Sequence, residues 1–263
     1  KKAIDIKSLS LMNSQLNQWI EESKKHNKNF GSILDGRPRF DVDPNSHSKA
    51  SPALRRISSP IEISDTFLSF TRDKNKIFEN LNLSLNKGNI TQIKGDNGSG
   101  KTTFLQTLLN ILEPNTGEIF WEGKNINKTI FNFYKETTFI MDQSSATKHL
   151  TVLDNINFWR GLSSSNLSND KILLLLESYS LDQYKNTKVM HLSSGEVKKL
   201  ELLRLIFEQK NFWVLDEPYN HLDNSSIQIL NQTFEDHISK DGIVLFTSHF
   251  EPEINGLEII NFT

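Results

Sequence analysis

Short apolar runs and longer helical stripes divide most of the chain into separate elements. A helical middle is indicated by the capping residues Thr151 and Ser168, each placed just ahead of an apolar segment with helical spacing. Apolar runs at 212–215 and 243–246 then alternate with helical patterns, which is typical of a parallel sheet. Earlier strands are predicted at 61–70, 81–85, 90–93 and 118–121. The pattern predicts an α/β fold.

The first 60 residues have a different pattern. An apolar stripe predicts a helix within residues 1–25, and we expect that stripe to dock on protein. Residues 26–60 are polar and contain four prolines, which predicts an extended arm without its own core. We therefore expect an extension at 1–60 and one domain at 61–263. The stripe consists of Leu9, Met12, Leu16, Trp19 and Ile20.

Composition excludes several classes of function. Residues 1–60 carry 11 Lys and Arg against 6 Asp and Glu, whereas the remaining residues carry 19 against 26. The acidic body argues against a nucleic-acid partner. The absence of cysteine excludes disulfides and thiol catalysis. No apolar run approaches the roughly 18 residues that span a bilayer, so a membrane process would need its spanning part on another chain.

Residues 95–103 match the loop that cradles phosphates in nucleotide triphosphatases. They read Gly-Asp-Asn-Gly-Ser-Gly-Lys-Thr-Thr between a strand-like run and a helical pattern at 104–112. Glycines let successive N–H groups face phosphate oxygens, and the following helix presents its positive end. A chance glycine-rich turn is the alternative, but the strand and helix around the loop disfavour it. The candidate nucleotide-binding residues are Gly95, Asn97, Gly98, Ser99, Gly100, Lys101, Thr102 and Thr103.

Further polar signals follow in a fixed order along the chain. Gln143 comes after a strand-like run, and Leu-Ser-Ser-Gly-Glu at 192–196 opens a helical pattern at 197–209. The acids Asp216 and Glu217, and then His249, each follow a buried-strand run. Taken alone, each has an ordinary explanation: a solvated side chain, a helix cap, loop polarity or a surface histidine.

Together these segments resemble the nucleotide-binding domain of the ATP-binding cassette (ABC) family, over about residues 61–263. The resemblance implies a parallel-sheet core, an antiparallel β subdomain and a helical subdomain at about 143–200. It also implies ATP hydrolysis with Mg²⁺ as cofactor. Mg²⁺ would be held by Thr102, Gln143 and Asp216, and Lys101 would contact the β- and γ-phosphates. The catalytic residues would be Glu217, which orients or deprotonates the attacking water, with His249 and Gln143 beside the γ-phosphate.

The family also implies a dimer of two copies that share their ATP sites. Ser193, Ser194, Gly195 and Glu196, with Asp223, would then face the nucleotide of the second copy. The segment departs from the family's Leu-Ser-Gly-Gly-Gln, and Glu196 would bring a negative charge toward the nucleotide, with slower turnover as a consequence to test. The family often stacks an aromatic side chain on adenine. Phe70 is the candidate here, with a core position as its alternative.

Within the family, the amino-acid sequence is most similar to that of the ATP-binding subunit of the haem-handling transporter of cytochrome c maturation. The resembling stretches include 115–123 and 150–156. The implied partners are an integral membrane subunit and haem-delivery proteins. The alternatives are a soluble scaffold ATPase of iron–sulfur cluster assembly, the ATPase of another ABC transporter, and a cassette that binds ATP without hydrolysing it.

The basic extension suggests the matrix side of the mitochondrial inner membrane as the location. The alternative is the cytoplasmic face of a bacterial inner membrane.

Overall fold

The computed structural model describes residues 61–72, 75–163, 165 and 167–262. The extension predicted at 1–60, with its helix and arm, lies outside these residues. None of the helices in the described ranges is both long enough and apolar enough to cross a bilayer.

The described residues form nine strands and seven helices, with short 3-10 helices at Asp182–Tyr184 and Val189–His191. In chain order the elements are β1 (Ile61–Arg72), β2 (Asn75–Leu85), β3 (Ile90–Lys94), α1 (Lys101–Leu108), β4 (Ile119–Trp121), β5 (Lys124–Asn125), α2 (Ile126–Glu136), β6 (Thr137–Ile140), α3 (Val152–Ser163), α4 (Asn169–Ser178), α5 (Ser194–Leu202), α6 (Arg204–Phe207), β7 (Phe212–Asp216), α7 (Asn224–Ile238), β8 (Ile243–Thr247) and β9 (Leu257–Asn261).

The main sheet is parallel and has the strand order β6-β7-β8-β3-β9. Helices cover both of its faces, which is why β7 and β8 are apolar at successive positions. Val214 and Leu245 pack with Phe104 of α1 on one face. Leu215 and Phe246 pack with helix α7 on the other face. The predicted α/β fold with a parallel sheet is confirmed.

Two smaller parts complete the described chain. An antiparallel sheet has the order β2-β1-β4-β5, with β1 paired to both β2 and β4. A separate apolar cluster joins α3, α4 and α5, and includes Ile156, Leu176 and Leu200. This cluster gives the helical part its own core.

The structure differs from the sequence predictions in three helices. The helix predicted to extend to residue 112 ends at Leu108, since Asn110 adopts a φ of 54°. The single helix predicted at 197–209 begins instead at Ser194 and is divided into α5 and α6 around Leu203. Helix α2 was not predicted, although its apolar residues Ile126, Ile130, Phe133 and Tyr134 have helical spacing and pack on the core.

Candidate functional site

The predicted phosphate loop and the predicted acidic residues meet at one edge of the parallel sheet. The loop follows β3, Asp216 ends β7, and Thr247 ends β8. The register pairs Ile93 with Thr247 and Asp216 with Thr247, so the three strands end side by side. The carboxyl edge of a parallel sheet is a common place for ligand sites.

The loop is packed so closely that its backbone needs glycine. Gly100 has a φ of 101°, and a Cβ there would lie 2.5 Å from Cγ2 of Ile77. This left-handed conformation turns the chain directly into α1, whose first residue is Lys101. The local geometry therefore aims backbone N–H groups and a helix N-terminus at the same space, as a phosphate group requires.

Lys101 lies across this loop. Its side chain is largely buried, and Nζ donates to the carbonyl oxygens of Gly95 at 2.8 Å and Asp96 at 3.0 Å. Within the part of the chain that the structure describes, the two neutral carbonyls leave the ammonium charge without a neutralising partner in direct contact. An anion bound in the loop would supply that partner.

Asp216 connects the loop to the ends of β7 and β8. Its carboxylate is buried and accepts hydrogen bonds from Thr102 Oγ1 at 2.8 Å and from Thr247 Oγ1 at 2.6 Å. A hydroxyl and a carboxylate in contact are the hard oxygen ligands that Mg²⁺ prefers, with phosphate and water completing its shell. The residues present therefore fit a magnesium ion bound together with a phosphate.

Glu217 is held in an unusual conformation beside this pair. Its φ is 48°, a region that non-glycine residues rarely adopt, and its N–H donates to both Thr247 O and Thr247 Oγ1. Its Oε1 lies 3.4 Å from Nε2 of His249. Its Oε2 is buried and has no hydrogen-bond partner within the described residues. A buried carboxylate oxygen without a partner is ready to accept a proton or hydrogen bond from a bound molecule.

His249 follows β8 and contacts the phosphate loop with its ring. Its Nε2 lies 2.7 Å from Asn97 Oδ1 and 3.5 Å from Lys101 Nζ. Gln92 fixes the backbone on both sides of this histidine, since its Nε2 donates to the carbonyls of Ser248 and Phe250. Asn97, Lys101, Glu217 and His249 thus converge on one place.

The residues at 193–196 form the N-terminus of α5. Ser193 is its N-cap, and Glu196 returns the contact by accepting from Ser193 N at 2.7 Å and from Ser193 Oγ at 2.9 Å. These hydrogen bonds, from the backbone N–H first, lower the pKa of Glu196. Ser194 is exposed at the start of the helix. Glu196 therefore points back onto the cap as a charged group.

The same helix end abuts the loop that carries Asp223. A Cβ at Gly195 would lie 2.6 Å from the carbonyl oxygen of His221, so only glycine permits this approach. Lys199 Nζ donates to Asp223 Oδ2 at 2.6 Å, and this hydrogen bond is the main reason that the pKa of Asp223 is lowered. The five predicted interface residues thus lie together around the N-terminus of α5.

Two other predicted residues have less defined surroundings. Gln143 is exposed and lies just beyond β6, whose neighbour β7 ends at Asp216. Phe70 packs on Phe78, with ring centroids 6.0 Å apart, at the margin of the core that includes Phe104. That position makes Phe70 part of the packing below the loop, and an adenine contact stays a prediction.

Several residues around the site were not predicted. Thr247 and Gln92 are polar residues inside apolar strand runs, a signal that the sequence did contain. Lys198 and Glu201 are buried on α5, one turn apart. Burial lowers the pKa of Lys198, and the charges of Asp142, Glu201, Asp216 and Glu217 act in the opposite direction. No periodic pattern marks these two residues as buried.

A family model described as ABC transporter matches residues 78–220, which is more than half of the chain. The chain belongs to the ABC transporter family. It is an ATPase of this family, and its fold is that of the family's ATP-binding cassettes. The family predicted from the sequence is thereby confirmed.

Relatives within the ABC family include several bacterial proteins named cytochrome c biogenesis ATP-binding export protein CcmA. That of Vibrio vulnificus is 31% identical over 72% of this chain and 91% of the relative. That of Pasteurella multocida is 33% identical over 69% of this chain and 85% of the relative. That of Haemophilus influenzae is 32% identical over 74% of this chain and 92% of the relative. The predicted similarity to this group is confirmed.

Solved structures of ABC cassettes share the fold. A putative ABC transporter ATP-binding protein from Pyrococcus furiosus is 27% identical, with a TM-score of 0.66 over 77% of this chain and 96% of that chain. A bacterial ABC transporter cassette solved as a dimer is 20% identical, with a TM-score of 0.62 over 72% of this chain and 88% of that chain.

Proposed function

We propose that this chain hydrolyses ATP at the site formed by residues 95–103, Asp216, Glu217 and His249, and that hydrolysis powers a transporter complex. The supporting observation is the buried Oε2 of Glu217, which has no hydrogen-bond partner among the described residues and lies beside the Thr102–Asp216 pair. A group that must accept a hydrogen bond from an attacking water needs this kind of free acceptor.

The loop amides and Lys101 would bind the β- and γ-phosphates. On binding, Lys101 Nζ would exchange its carbonyl partners for phosphate oxygens, which carry full charge. His249 would likewise exchange Asn97 for a γ-phosphate oxygen. Both exchanges replace a neutral acceptor by a charged one, and they prepare the terminal phosphate for attack.

Water would attack the γ-phosphorus in line with the bridging oxygen. Glu217 would orient this water and take its proton as the new P–O bond forms. The bond between the γ-phosphorus and the β–γ bridging oxygen would break, leaving ADP and phosphate. When bound through Thr102 and Asp216, with Gln143 nearby, Mg²⁺ supplies neutralisation of charge on the phosphates.

The first test replaces Glu217 with Gln. We expect ATP binding to persist, because Lys101 and the loop are unchanged. We expect steady-state hydrolysis to fall by about 10²–10⁴-fold, the usual effect of losing a general base. Both quantities are measured on the full chain, with Glu253→Gln, at an exposed glutamate, as the control. Near-normal turnover of the Glu217 variant would refute the assignment.

We further propose a dimer that sandwiches ATP between the loop of one copy and residues 193–196 and Asp223 of the other. In this arrangement one chain contributes half of each of two sites. Support comes from the N-terminus of α5, where Ser193 and Ser194 are exposed beside the loop that carries Asp223. Phosphate binding at a helix N-terminus is chemically suitable there.

Within the family, we propose a role in cytochrome c biogenesis, because the named relatives have that function in their names. Hydrolysis would drive haem handling, with an integral membrane subunit and haem-delivery proteins as partners, and the chain would lie peripherally at an inner membrane. These relatives are bacterial, so they support the bacterial location and give no support to the mitochondrial one.

Mass spectrometry of the native complex tests this role. Membrane subunits and haem-binding proteins are the expected partners, whereas soluble iron–sulfur assembly proteins would favour the scaffold alternative.

A further inference from the structure

Glu201 of α5 accepts hydrogen bonds from the segment that directly follows Gln143. Its carboxylate is almost fully buried. Oε1 accepts from Ser144 Oγ at 2.7 Å, from Ser145 N at 2.6 Å and from Ala146 N at 2.9 Å. Ser145 Oγ adds contacts at 3.1 Å to both carboxylate oxygens. One side chain therefore fixes three successive residues.

The far end of this segment is held by α3. Asn155 is buried, and its Oδ1 accepts from Thr147 N at 2.8 Å while its Nδ2 donates to Thr147 O and Thr151 O. Residues 144–147 are thus tied to two helices of the helical part. Gln143 is left exposed at the joint between this fixed segment and strand β6.

The contacts of Arg204 distinguish Glu201 from its neighbour Glu208. It bonds two buried carboxylates, Glu201 through Nη1 at 3.1 Å and Glu208 through Nε at 2.7 Å. Glu208 accepts instead from Thr138 of β6, so of the two carboxylates Glu201 alone contacts the segment after Gln143 within the described residues. Arg204 adds one contact of its own, from Nη1 to Ser145 Oγ at 3.1 Å. A buried carboxylate is costly unless both oxygens are paired, and both oxygens of Glu201 are.

We propose that Glu201 is a positioning residue for ATP hydrolysis. It locks residues 144–146 onto α5, so that Gln143 and the α5 N-terminus at 193–196 move together when the γ-phosphate is present or lost. This inference rests on the proposed function, since Gln143 must lie at the hydrolysis site for the link to matter.

The test compares Glu201→Gln with the matched control Glu208→Gln in the full chain. Each removes one buried carboxylate from Arg204, but only the first also releases the segment. For Glu201→Gln we expect kcat to fall about tenfold or more with KM for ATP nearly unchanged, because small misplacements near reacting groups are costly. We also expect faster hydrogen exchange at the amides of Ser145 and Ala146. Glu208→Gln should lose a comparable amount of thermal stability. Its kcat and the hydrogen-exchange protection of the two amides should stay unchanged.

Equal losses of kcat in the two variants would overturn the inference, and so would a normal kcat in Glu201→Gln. If Glu201→Gln does not fold, the double variant Ser144→Ala/Ser145→Ala removes hydroxyl donors from the exposed side of the same contact and should lower kcat in the same direction. An unchanged kcat there overturns the inference as well. Glu217→Gln, measured in parallel, separates the two ideas: if it retains turnover, the proposed function itself fails.

Discussion

At the residue scale, the site concentrates charge that is incompletely neutralised. Lys101 contacts carbonyls, and Glu217 Oε2 has no partner in the described part of the chain. Lys198 Nζ is also buried without a hydrogen-bond partner there. Such groups are unfavourable in a resting protein, and they cluster where a charged ligand completes them. The cluster is therefore expected to be more stable with nucleotide bound.

A second residue-scale feature lies at the opposite end of the sheet. The ring of His237 stacks on Trp213, with centroids 3.5 Å apart and planes at 6°, and Nε2 lies 3.0 Å from Asn211 O. Burial lowers the pKa of His237 to about 4. The imidazole is therefore neutral in the folded chain at pH values where the unfolded chain begins to bind a proton.

This difference predicts acid-sensitive stability. The folded-state pKa lies below the unfolded value of about 6.5, so protons favour unfolding. The contribution of neutral His237 to the free energy of unfolding is fully present above pH 6.5 and is lost as the pH falls toward 4. The loss amounts to about 3 kcal/mol. His237→Phe keeps a ring on Trp213 and should lack this part of the pH dependence in urea unfolding. His149→Gln, at an exposed histidine, is the control. Identical pH profiles for wild type and His237→Phe would contradict the prediction.

At the element scale, helix α5 begins with a capping box in which Glu196 is charged. Glu196→Gln can keep the contact with Ser193 N through its amide oxygen, while it removes a negative charge from the proposed interface. We expect a small stability loss, about 0.5 kcal/mol, from the weaker interaction with the helix dipole. We expect turnover to rise by roughly fivefold, the effect of about 1 kcal/mol from one screened charge.

Thermal unfolding and steady-state hydrolysis measure the two effects of Glu196→Gln separately. Asp170→Asn, an exposed acid in the first turn of α4, is the control for the dipole effect alone. If the Glu196 variant loses stability without a gain in turnover, the charge of Glu196 does not slow hydrolysis.

Elements with strong local signals could be predicted from the sequence. Strands β7 and β8 are apolar because helices cover both of their sides, and Ser168 and Thr151 mark real helix starts. Helix α2 was missed although its apolar residues have helical spacing, whereas the division after α5 has no local signal. At that division Ile206 N donates to Leu203 O, a tighter turn that depends on packing around α6.

The same limit applies to the candidate site. Residues 95–103, Asp216, Glu217 and His249 follow strands directly, so the parallel topology brings them together. Glu201 meets Ser145 across 56 positions of sequence, and no local pattern encodes that contact. Long-range pairs of this kind require the folded coordinates.

At the scale of the whole molecule, the segment after Gln143 places exposed residues at the surface of the helical part. Thr147, Lys148 and His149 are exposed, although Asn155 fixes the backbone of Thr147. An exposed segment held by two helices suits a contact that must transmit movement. The proposed partner there is a short helix of an integral membrane subunit.

Cysteine crosslinking tests this contact cleanly, because the chain has no native cysteine. A single cysteine at Thr147 should link to an integral membrane subunit in the native complex, and the yield should differ between ATP-bound and nucleotide-free states, because Gln143 adjoins the segment that Glu201 holds. A cysteine at the exposed Gln232 of α7 is the control and should give no nucleotide-dependent link. If Thr147→Cys links to no membrane subunit in either state while hydrolysis is intact, the segment is an ordinary surface loop. The soluble scaffold ATPase then becomes the better account of the same catalytic site.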